Sequence, residues 1–305
     1  MRCPLEKMHK RVFQAVKVIG RRADQEGLKA FLVGGIVRDL FLGRENRDID
    51  VVVEGDAVGF AERIAAQRGL SVKTHKRFGT ATIGGWNNLH VDIVTARSEH
   101  YPYPGALPVV RKGILKDDIF RRDFTLNALA VCINRDGFGR LVDLCGGRQD
   151  LRKGLVRVFH DRSFFDDPTR ILRAVRFEQR FGFRMAPKTL RLLKQAVADR
   201  ADQTVSPPRY FQEFARGLAG DTAGKYIRRL WSLGALDFLE LPGRCPASEL
   251  LRLDQMRWQD PVQQRLAYLD VLYRDISQQD LLKYGARFQW PRLDKKRLIA
   301  MRDQE

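Results

Sequence analysis

The sequence predicts an α+β protein in which a mixed α/β domain is followed by helices alone. Up to about residue 150, short β-rich runs recur between Gly, Asn and Pro clusters, and apparent helices lie between them. Beyond that point the apolar residues follow helical spacing. With 305 residues, of which 44% are hydrophobic, the chain is long enough for two domains and apolar enough to fold.

The elements of the first half are predicted from their apolar pattern. A helix is expected over 5–26, where Val12, Val16 and Ile19 recur at helical spacing, and another over 57–68. Strands are expected in the runs AFLVGGIV, DIDVVVEG, TATIGG, LHVDIVTA and LNALAVCIN. Residues 99–118 begin with Pro and Gly and show little periodicity, so a long connection is expected there.

The second half is predicted to be helical. Each of its periodic segments ends near Gly or Pro, as helices commonly do, and the segments are TRILRAVRFEQRFG, KTLRLLKQAVADR, RYFQEFARGLAG and KYIRRLWSLGALDFLE. The final stretch, 291–305, is also expected to be helical. We therefore expect three regions, namely a mixed domain over 1–150 and helical regions over 151–230 and 231–305.

The charge of the chain predicts a polyanionic partner. The net charge is +18, and residues 151–230 carry 18 basic against 8 acidic side chains, so nucleic acid is the expected partner. No apolar run approaches a membrane span, and no signal peptide is recognisable, so no membrane is expected. The four cysteines lie far apart without a CxxC pair, which favours reduced thiols and a cytoplasmic location. No feature of the sequence indicates an oligomeric state.

A first group of residues predicts a metal and phosphate site. Asp48 and Asp50 alternate on a predicted strand and therefore point to one face, where two carboxylates require a cation such as Mg²⁺. Gly34 and Gly35 follow a strand and precede a helix, which leaves backbone N–H groups free to hold phosphate. Either feature alone is usually a solvated pair or a simple turn. Together, with Arg38 between them, they favour function.

Asp92 is the expected third carboxylate of a two-metal site. It lies in the apolar strand LHVDIVTA, where an unpaired acid would be costly. The alternative is a structural salt bridge to an arginine such as Arg97.

The segment FRRDFTLNALAV predicts contacts to a nucleotide. Arg121 and Arg122 can bind phosphate with two parallel hydrogen bonds. Asp123 and Asn127 are four residues apart, so they share a helix face or a turn edge and could contact a ribose hydroxyl. The alternative is a charged surface cluster.

The segment DDPTRILRAVRFEQRFGF opens a predicted helix. Asp167 and Arg170 are three residues apart on one face, and Arg173 and Arg176 continue that basic face. Asp167 and Arg170 could form an intrahelical pair, or could present a carboxylate and a guanidinium to the edge of a base.

Taken together, these motifs resemble the class II tRNA nucleotidyltransferase and bacterial poly(A) polymerase family. The motifs are LVGGIVRD with RDIDVVV, RRDFTLNALA, DLCGG and DDPTRILRAVRFEQRFGF. The resemblance covers residues 30 to about 185. It implies a nucleotidyltransferase head with a mixed five-stranded sheet, followed by an all-α neck, body and partial tail. The resemblance also implies roles for the residues above. Asp48 and Asp50 would bind the metal, with Asp92 as a third acid, and the triphosphate would be held by Gly34, Gly35 and Arg38. The sugar and phosphates would be contacted by Arg122, Asp123 and Asn127, and the incoming base by Asp167 and Arg170, with Arg173 and Arg176 beside them. Pro208 stands where relatives often carry an acid, so no site residue is expected in that segment.

The expected reaction is addition of CMP or AMP to the 3′ end of tRNA, by attack of the RNA 3′-OH on CTP or ATP at two Mg²⁺ ions. The basic 151–230 region would bind the tRNA acceptor stem, mostly through phosphates and shape. CCA addition, CC-only addition and A-only addition remain open, as do poly(A) synthesis and a non-catalytic RNA-binding role. The 99–118 connection is expected to take part in the choice of base.

Overall fold

The computed structural model describes residues 2–241 and 243–302, and it divides the chain into two compact units. The first unit comprises residues up to 100 together with 108–159, and the second comprises 101–107 and the residues from 160 onwards. The regional boundaries expected at 150 and 230 stay predictions.

The first unit is built on a mixed sheet of seven strands. The strands follow the order β3-β4-β5-β2-β1-β8-β9, in which β2 and β5 are parallel and the other neighbours are antiparallel. Their bounds are Lys29–Val33 (β1), Asp48–Glu54 (β2), Ser71–His75 (β3), Thr80–Gly84 (β4), His90–Thr95 (β5), Ala130–Cys132 (β8) and Leu141–Val142 (β9), while Arg97–His100 (β6), Val109–Lys112 (β7) and Leu155–Val156 (β10) lie outside this sheet.

The expected α+β class is confirmed, but the expected count of five strands is wrong. The five apolar runs form β1, β2, β4, β5 and β8, which include the centre of the sheet. The two additional strands, β3 and β9, are its edges, and neither has a fully buried residue. Edge strands tolerate polar side chains because one side faces solvent, so apolar patterning does not reveal them.

The expected long connection at 99–118 is also wrong, because it contains regular structure. Strands β6 and β7 pair antiparallel, with Arg97 opposite Lys112, and a short helix begins at Leu115. The longest stretch without helix or strand in this segment is residues 101–108. Sequence patterning missed β7 because its side chains are exposed or only half-buried.

Helices cover the sheet of the first unit. Their bounds are Lys10–Gln25 (α1), Gly35–Phe41 (α2), Ala57–Arg68 (α3), Leu115–Phe120 (α4) and Gly147–Lys153 (α5). Helix α3 has the predicted bounds, whereas α1 is preceded by a separate 3₁₀ turn at Leu5–Lys7. One buried cluster places Leu115 and Ile119 of α4 against Phe31 and Val52 of the sheet.

The second unit is helical apart from the two-residue strand Arg184–Met185 (β11). Its helices are Ser163–Asp166 (α6), Thr169–Phe181 (α7), Pro187–Ala198 (α8), Pro207–Leu218 (α9), Ala223–Ser232 (α10), Ala247–Gln255 (α11), Pro261–Tyr273 (α12), Gln278–Arg287 (α13) and Arg292–Arg302 (α14). Phe214, Tyr226 and Phe238 pack together in its core. The predicted C-terminal helix corresponds to α14, and its last expected residues, 303–305, lie outside the described residues.

None of the helices in the described part of the chain is both long enough and apolar enough to cross a lipid bilayer.

Candidate active site

Three carboxylates lie near the same end of two neighbouring interior strands, β2 and β5, of the first unit's sheet. Asp48 and Asp50 are two residues apart on β2, so their side chains leave the same face. Strand β5 runs parallel to β2 with Asp92 opposite Asp50 and His90 opposite Asp48. The register therefore places an acid from a distant part of the chain beside the Asp48–Asp50 pair.

The electrostatics of this cluster fit a cation. Burial first, and then the Asp92 carboxylate, raise the pKa of Asp50 to about 6 against the lowering effect of Arg122. Like charges held together in a half-buried place disfavour the ionised form, and a cation would reverse that. Within residues 2–241 and 243–302, no group of three or more His, Cys, Asp or Glu side chains forms a ready-made metal cage. Such a pair fits Mg²⁺, which uses one or two carboxylates and completes its shell with substrate phosphates and water.

Asp92 is oriented by two neighbours on its own face of the sheet. Thr82 Oγ1 donates a hydrogen bond to Asp92 Oδ1 at 2.5 Å, and His90 Nε2 lies 3.2 Å from Oδ2. The structural alternative, a salt bridge to Arg97, is wrong because Arg97 pairs with Glu99. Thr82 and His90 were not predicted as site residues. The period-two alternation of β4 and β5 would have placed them beside Asp92 if the pairing of these strands had been known.

The two glycines lie against the site's charged groups. Gly34 has φ of 73°, and a Cβ there would lie 3.2 Å from Arg122 Nη1 and 3.4 Å from Asp50 Oδ2. A Cβ on Gly35 would lie 3.5 Å from Arg38 Nη2. The turn after β1 therefore keeps its backbone bare between a carboxylate and two guanidinium groups, as a phosphate-binding turn requires.

Arg38 is buried rather than exposed to solvent. It is 5% exposed, and its Nε and Nη1 donate to Asp39 Oδ1 at 2.8 Å and to Asn127 Oδ1 at 2.6 Å. Asn127 Nδ2 in turn donates to Asp123 Oδ1 at 3.0 Å. The predicted nucleotide contacts Arg38, Asp123 and Asn127 thus form one hydrogen-bonded chain, which fixes their positions relative to one another.

Arg122 is held by an acid that the sequence analysis did not identify. Asp118 is fully buried and accepts from Arg122 Nη2 at 2.7 Å and from Arg121 Nη2 at 2.6 Å. Burial raises the pKa of Asp118, but the two guanidinium groups outweigh this and hold it below its usual value. The spacing in KDDIFRR, three and four residues on a helix, was the available signal. Arg122 is one of the predicted phosphate ligands, and its buried Nε has no hydrogen-bond partner among the described residues.

The second unit contains the remaining predicted residues. Asp167 Oδ1 accepts from Thr169 Oγ1 at 2.7 Å and from Arg209 Nη2 at 2.9 Å, while no hydrogen bond from a described residue reaches Oδ2. Arg170 is 4% exposed and donates to Ser163 Oγ at 2.8 Å. Arg209 follows Pro208, in the segment from which no site residue was expected, so sequence reasoning missed it.

Arg173 and Arg176 form ion pairs with Glu213 rather than with Asp167. Arg176 Nη2 lies 2.6 Å from Glu213 Oε1, and Arg173 Nη1 lies 3.7 Å from Glu213 Oε2. Arg216 also pairs with this buried acid, at 2.8 Å. Glu213 therefore organises the basic face of α7, and the nucleotide-binding roles of Arg173 and Arg176 stay predictions.

Comparison with known proteins gives consistent matches across the chain. A family model described as the poly A polymerase head domain matches residues 30–157. An A-adding tRNA nucleotidyltransferase from Geobacter sulfurreducens is 43% identical over 255 residues, which is 84% of this chain and 28% of that protein. Another from Halalkalibacterium halodurans is 46% identical over 202 residues, which is 66% of this chain and 47% of that protein. The chain thus spans less than half the length of either relative.

The fold matches solved structures over nearly its full length. The apo form II structure of a CCA-adding enzyme superposes with a TM-score of 0.83 at 35% sequence identity, covering 96% of this chain and 71% of that one.

Proposed function

This chain belongs to the tRNA nucleotidyltransferase and poly(A) polymerase family, and on that premise we propose that it adds nucleotides to the 3′ end of tRNA. The observation that carries the proposal is the parallel register of β2 and β5, which sets Asp92 opposite Asp50, while the Asp50 carboxylate lies against the bare Gly34 turn. Paired carboxylates at a phosphate-binding turn suit nucleotidyl transfer, whereas a protein that only binds RNA has no use for them.

Members of this family are generally metal-dependent, and we propose Mg²⁺ for this chain. Asp48 and Asp50 would hold it, with Asp92 as a third acid kept in place by Thr82. Bound there, Mg²⁺ supplies a Lewis acid that favours the ionised RNA 3′-oxygen and neutralises charge on the phosphates.

The protein's own groups would bind and orient the nucleotide. The bare backbone at Gly34 and Gly35 binds the triphosphate, and Arg38 stabilises that end of the site from its buried position. Arg122 provides positive charge beside Asp50, and Asp123 and Asn127 contact the sugar. In the reaction, the RNA 3′-oxygen forms a bond to the α-phosphorus while the bond to the pyrophosphate oxygen breaks, so pyrophosphate leaves.

We propose that Asp167 and Arg170 recognise the incoming base. Because the Asp167 bonds converge on Oδ1, Oδ2 is the oxygen that could accept from a base amino group. Arg170 supplies the complementary donors, and Arg173 and Arg176 add positive charge on the next turns of α7. The substrates would be CTP or ATP together with the tRNA acceptor stem, and the reaction would take place in the cytoplasm. The basic 151–230 region would bind the RNA, and the 1–150 region would carry out catalysis.

AMP is the favoured nucleotide. The two A-adding relatives are 43% and 46% identical to this chain, whereas a CC-adding tRNA nucleotidyltransferase from Deinococcus radiodurans is 40% identical and the solved CCA-adding enzyme is 35% identical. Addition of CC, of all three CCA nucleotides, or of a poly(A) tail would each give a different product from the same reaction.

The test offers the protein three tRNAs, ending before C74, C75 or A76, with CTP or ATP separately, and sizes the products. We expect ATP to extend the tRNA that lacks only A76. Asp48→Ala with Asp50→Ala should abolish extension while tRNA binding persists. Glu6→Ala with Glu62→Ala removes the same charge from exposed positions and should extend normally. Extension by the Asp48/Asp50 variant would contradict the catalytic assignment.

A further inference from the structure

A basic groove lies on the first unit away from the three carboxylates. It has a volume of about 570 Å³, and its lining includes Lys17 and Arg21 of α1 together with Arg135 and Phe138 from the turn after β8. Lys17 and Arg21 are four residues apart and therefore share one face of α1. The groove thus joins cations from two separate parts of the chain around one aromatic ring.

The cations of this groove are not used to hold the fold together. In the part of the chain that the structure describes, the side chains of Lys17, Arg21 and Arg135 have no ion pair and donate no hydrogen bond; Lys17 Nζ lies 5.3 Å from the centroid of the Phe13 ring. By contrast, Arg209, Arg216 and Arg265, which line another cavity, each pair with a carboxylate. Unpaired cations that converge on a concavity favour an anionic ligand.

The acid in the groove, Asp24, forms no ion pair with these cations among the described residues, so the groove keeps an excess of two positive charges. Asp24 accepts from Asn134 Nδ2 at 2.9 Å and from the backbone N–H of Arg135 at 3.0 Å. Its carboxylate is therefore engaged in fixing the 134–135 turn, which holds Arg135 and Phe138 against α1. Phe138 packs edge-on to Phe13, with ring centroids 6.2 Å apart, and remains half-exposed.

The groove is at the opposite end of the strands from the carboxylates. Ile133 donates its backbone N–H to Ala30 near the start of β1, whereas Gly34 and Asp50 meet beyond its other end. Four residue steps along β1, from Ala30 to Gly34, separate the two places, which corresponds to about 13 Å along the strand. A nucleotide in the catalytic site would not occupy the groove.

We propose that this groove binds an unpaired stretch of RNA at a distance from the reacting 3′ end, with Lys17, Arg21 and Arg135 on its phosphates and one base against Phe138. Phosphate-binding cations beside an exposed aromatic ring are the two components of single-strand recognition. An anionic membrane would also attract the cations, but the concave shape and the aromatic wall favour a base. The proposal rests on the proposed function only in its choice of RNA as the polyanion.

The test measures RNA binding directly, without catalysis. A fluorescein-labelled tRNA is titrated with the full chain at several salt concentrations, and the anisotropy gives Kd. The groove variant combines Lys17→Glu, Arg21→Glu and Arg135→Glu. It should raise Kd at least about tenfold, and the negative slope of the log association constant against log salt should become shallower by about 2. Phe138→Leu should weaken binding without changing that slope.

The matched control is Arg252→Glu with Lys296→Glu and Arg297→Glu, which reverses three exposed cations in the nearly neutral 231–305 region. It should bind tRNA as the unaltered protein does. With saturating tRNA, the groove variant should keep kcat for nucleotide addition while KM for tRNA rises.

Unchanged Kd and salt slope in the groove variant would overturn the proposal. It would also be overturned if the groove variant lost binding to phosphatidylglycerol vesicles, or to ATP alone, while its affinity for tRNA stayed the same. Absence of nucleotide addition by the unaltered protein would refute the proposed function instead, and would leave the binding result intact.

Discussion

Replacing Asp118 with asparagine should destabilise the first unit strongly. The side chain is fully buried, and its two oxygens accept from Arg121 at 2.6 and 2.9 Å and from Arg122 at 2.7 Å. Asparagine keeps the shape but removes the charge, so two guanidinium groups that are 15–16% exposed would face a neutral amide. Removing one partner of such a buried pair costs about 3–5 kcal/mol. Because asparagine retains one acceptor, we expect about 3 kcal/mol.

The pH dependence of this effect has a definite sign. The pKa of Asp118 is lower in the folded protein than its ordinary value of 3.8, because Arg122 and Arg121 outweigh the effect of burial. Its charge therefore contributes stability above that ordinary value, and the contribution is lost as the pH falls through the folded pKa. The difference between Asp118→Asn and the unaltered protein should stay constant from about pH 8 to about pH 5 and shrink only in stronger acid.

Urea denaturation followed by circular dichroism measures this difference, with Asp136→Asn as a control at an exposed position. A difference below about 0.5 kcal/mol at neutral pH, which is the ordinary range for surface substitutions, would refute the reasoning. So would a difference that grows as the solution is made acidic.

Two further substitutions test the site itself. Gly34→Ala should lose nucleotide addition and about 2–3 kcal/mol of stability, because φ of 73° with ψ of −135° is a backbone region that essentially only glycine adopts, and the new Cβ would lie 3.2 Å from a guanidinium nitrogen. Gly69→Ala, at φ of 61° and ψ of 33° with open space around it, should lose about 1–2 kcal/mol yet keep full activity in the same extension assay. Equal loss of activity in the two variants would count against a site role for Gly34. Asp167→Asn should shift the preference between ATP and CTP by about 10- to 100-fold, measured as a ratio of kcat/KM values, and an unchanged ratio would exclude Asp167 from base recognition.

Apolar patterning predicted the strands that lie inside the sheet. The run DIDVVVEG forms β2, and its alternation correctly placed Asp48 and Asp50 on one face. Strands β3 and β9 escaped prediction because they lie at the edges, where half the side chains face water. Burial is what patterning detects, so elements with little burial are invisible to it.

The partners of the predicted site residues depend on contacts between elements, which motifs in the sequence do not show directly. Asp118 and Arg209 act by holding Arg122 and Asp167, and such pairing depends on which elements pack together. The pair of Asp118 with Arg122 was accessible from helical spacing, since the residues are four apart. Arg209 could not be linked to Asp167 from sequence, because Arg209 is on α9 and Asp167 lies 42 residues earlier, in extended conformation between α6 and α7.

The parallel pairing of β2 with β5 also determines when this part of the sheet can form as the chain is synthesised on the ribosome. Helix α3 and the β3–β4 hairpin must emerge before β5 can align with β2, since parallel neighbours require a crossover between them. A nascent chain that ends before Asp92 has the Asp48–Asp50 pair and the Gly34 turn, but lacks the acid that stands opposite Asp50. The acidic cluster is therefore completed only after a long-range strand pairing closes, which is a slow class of folding event.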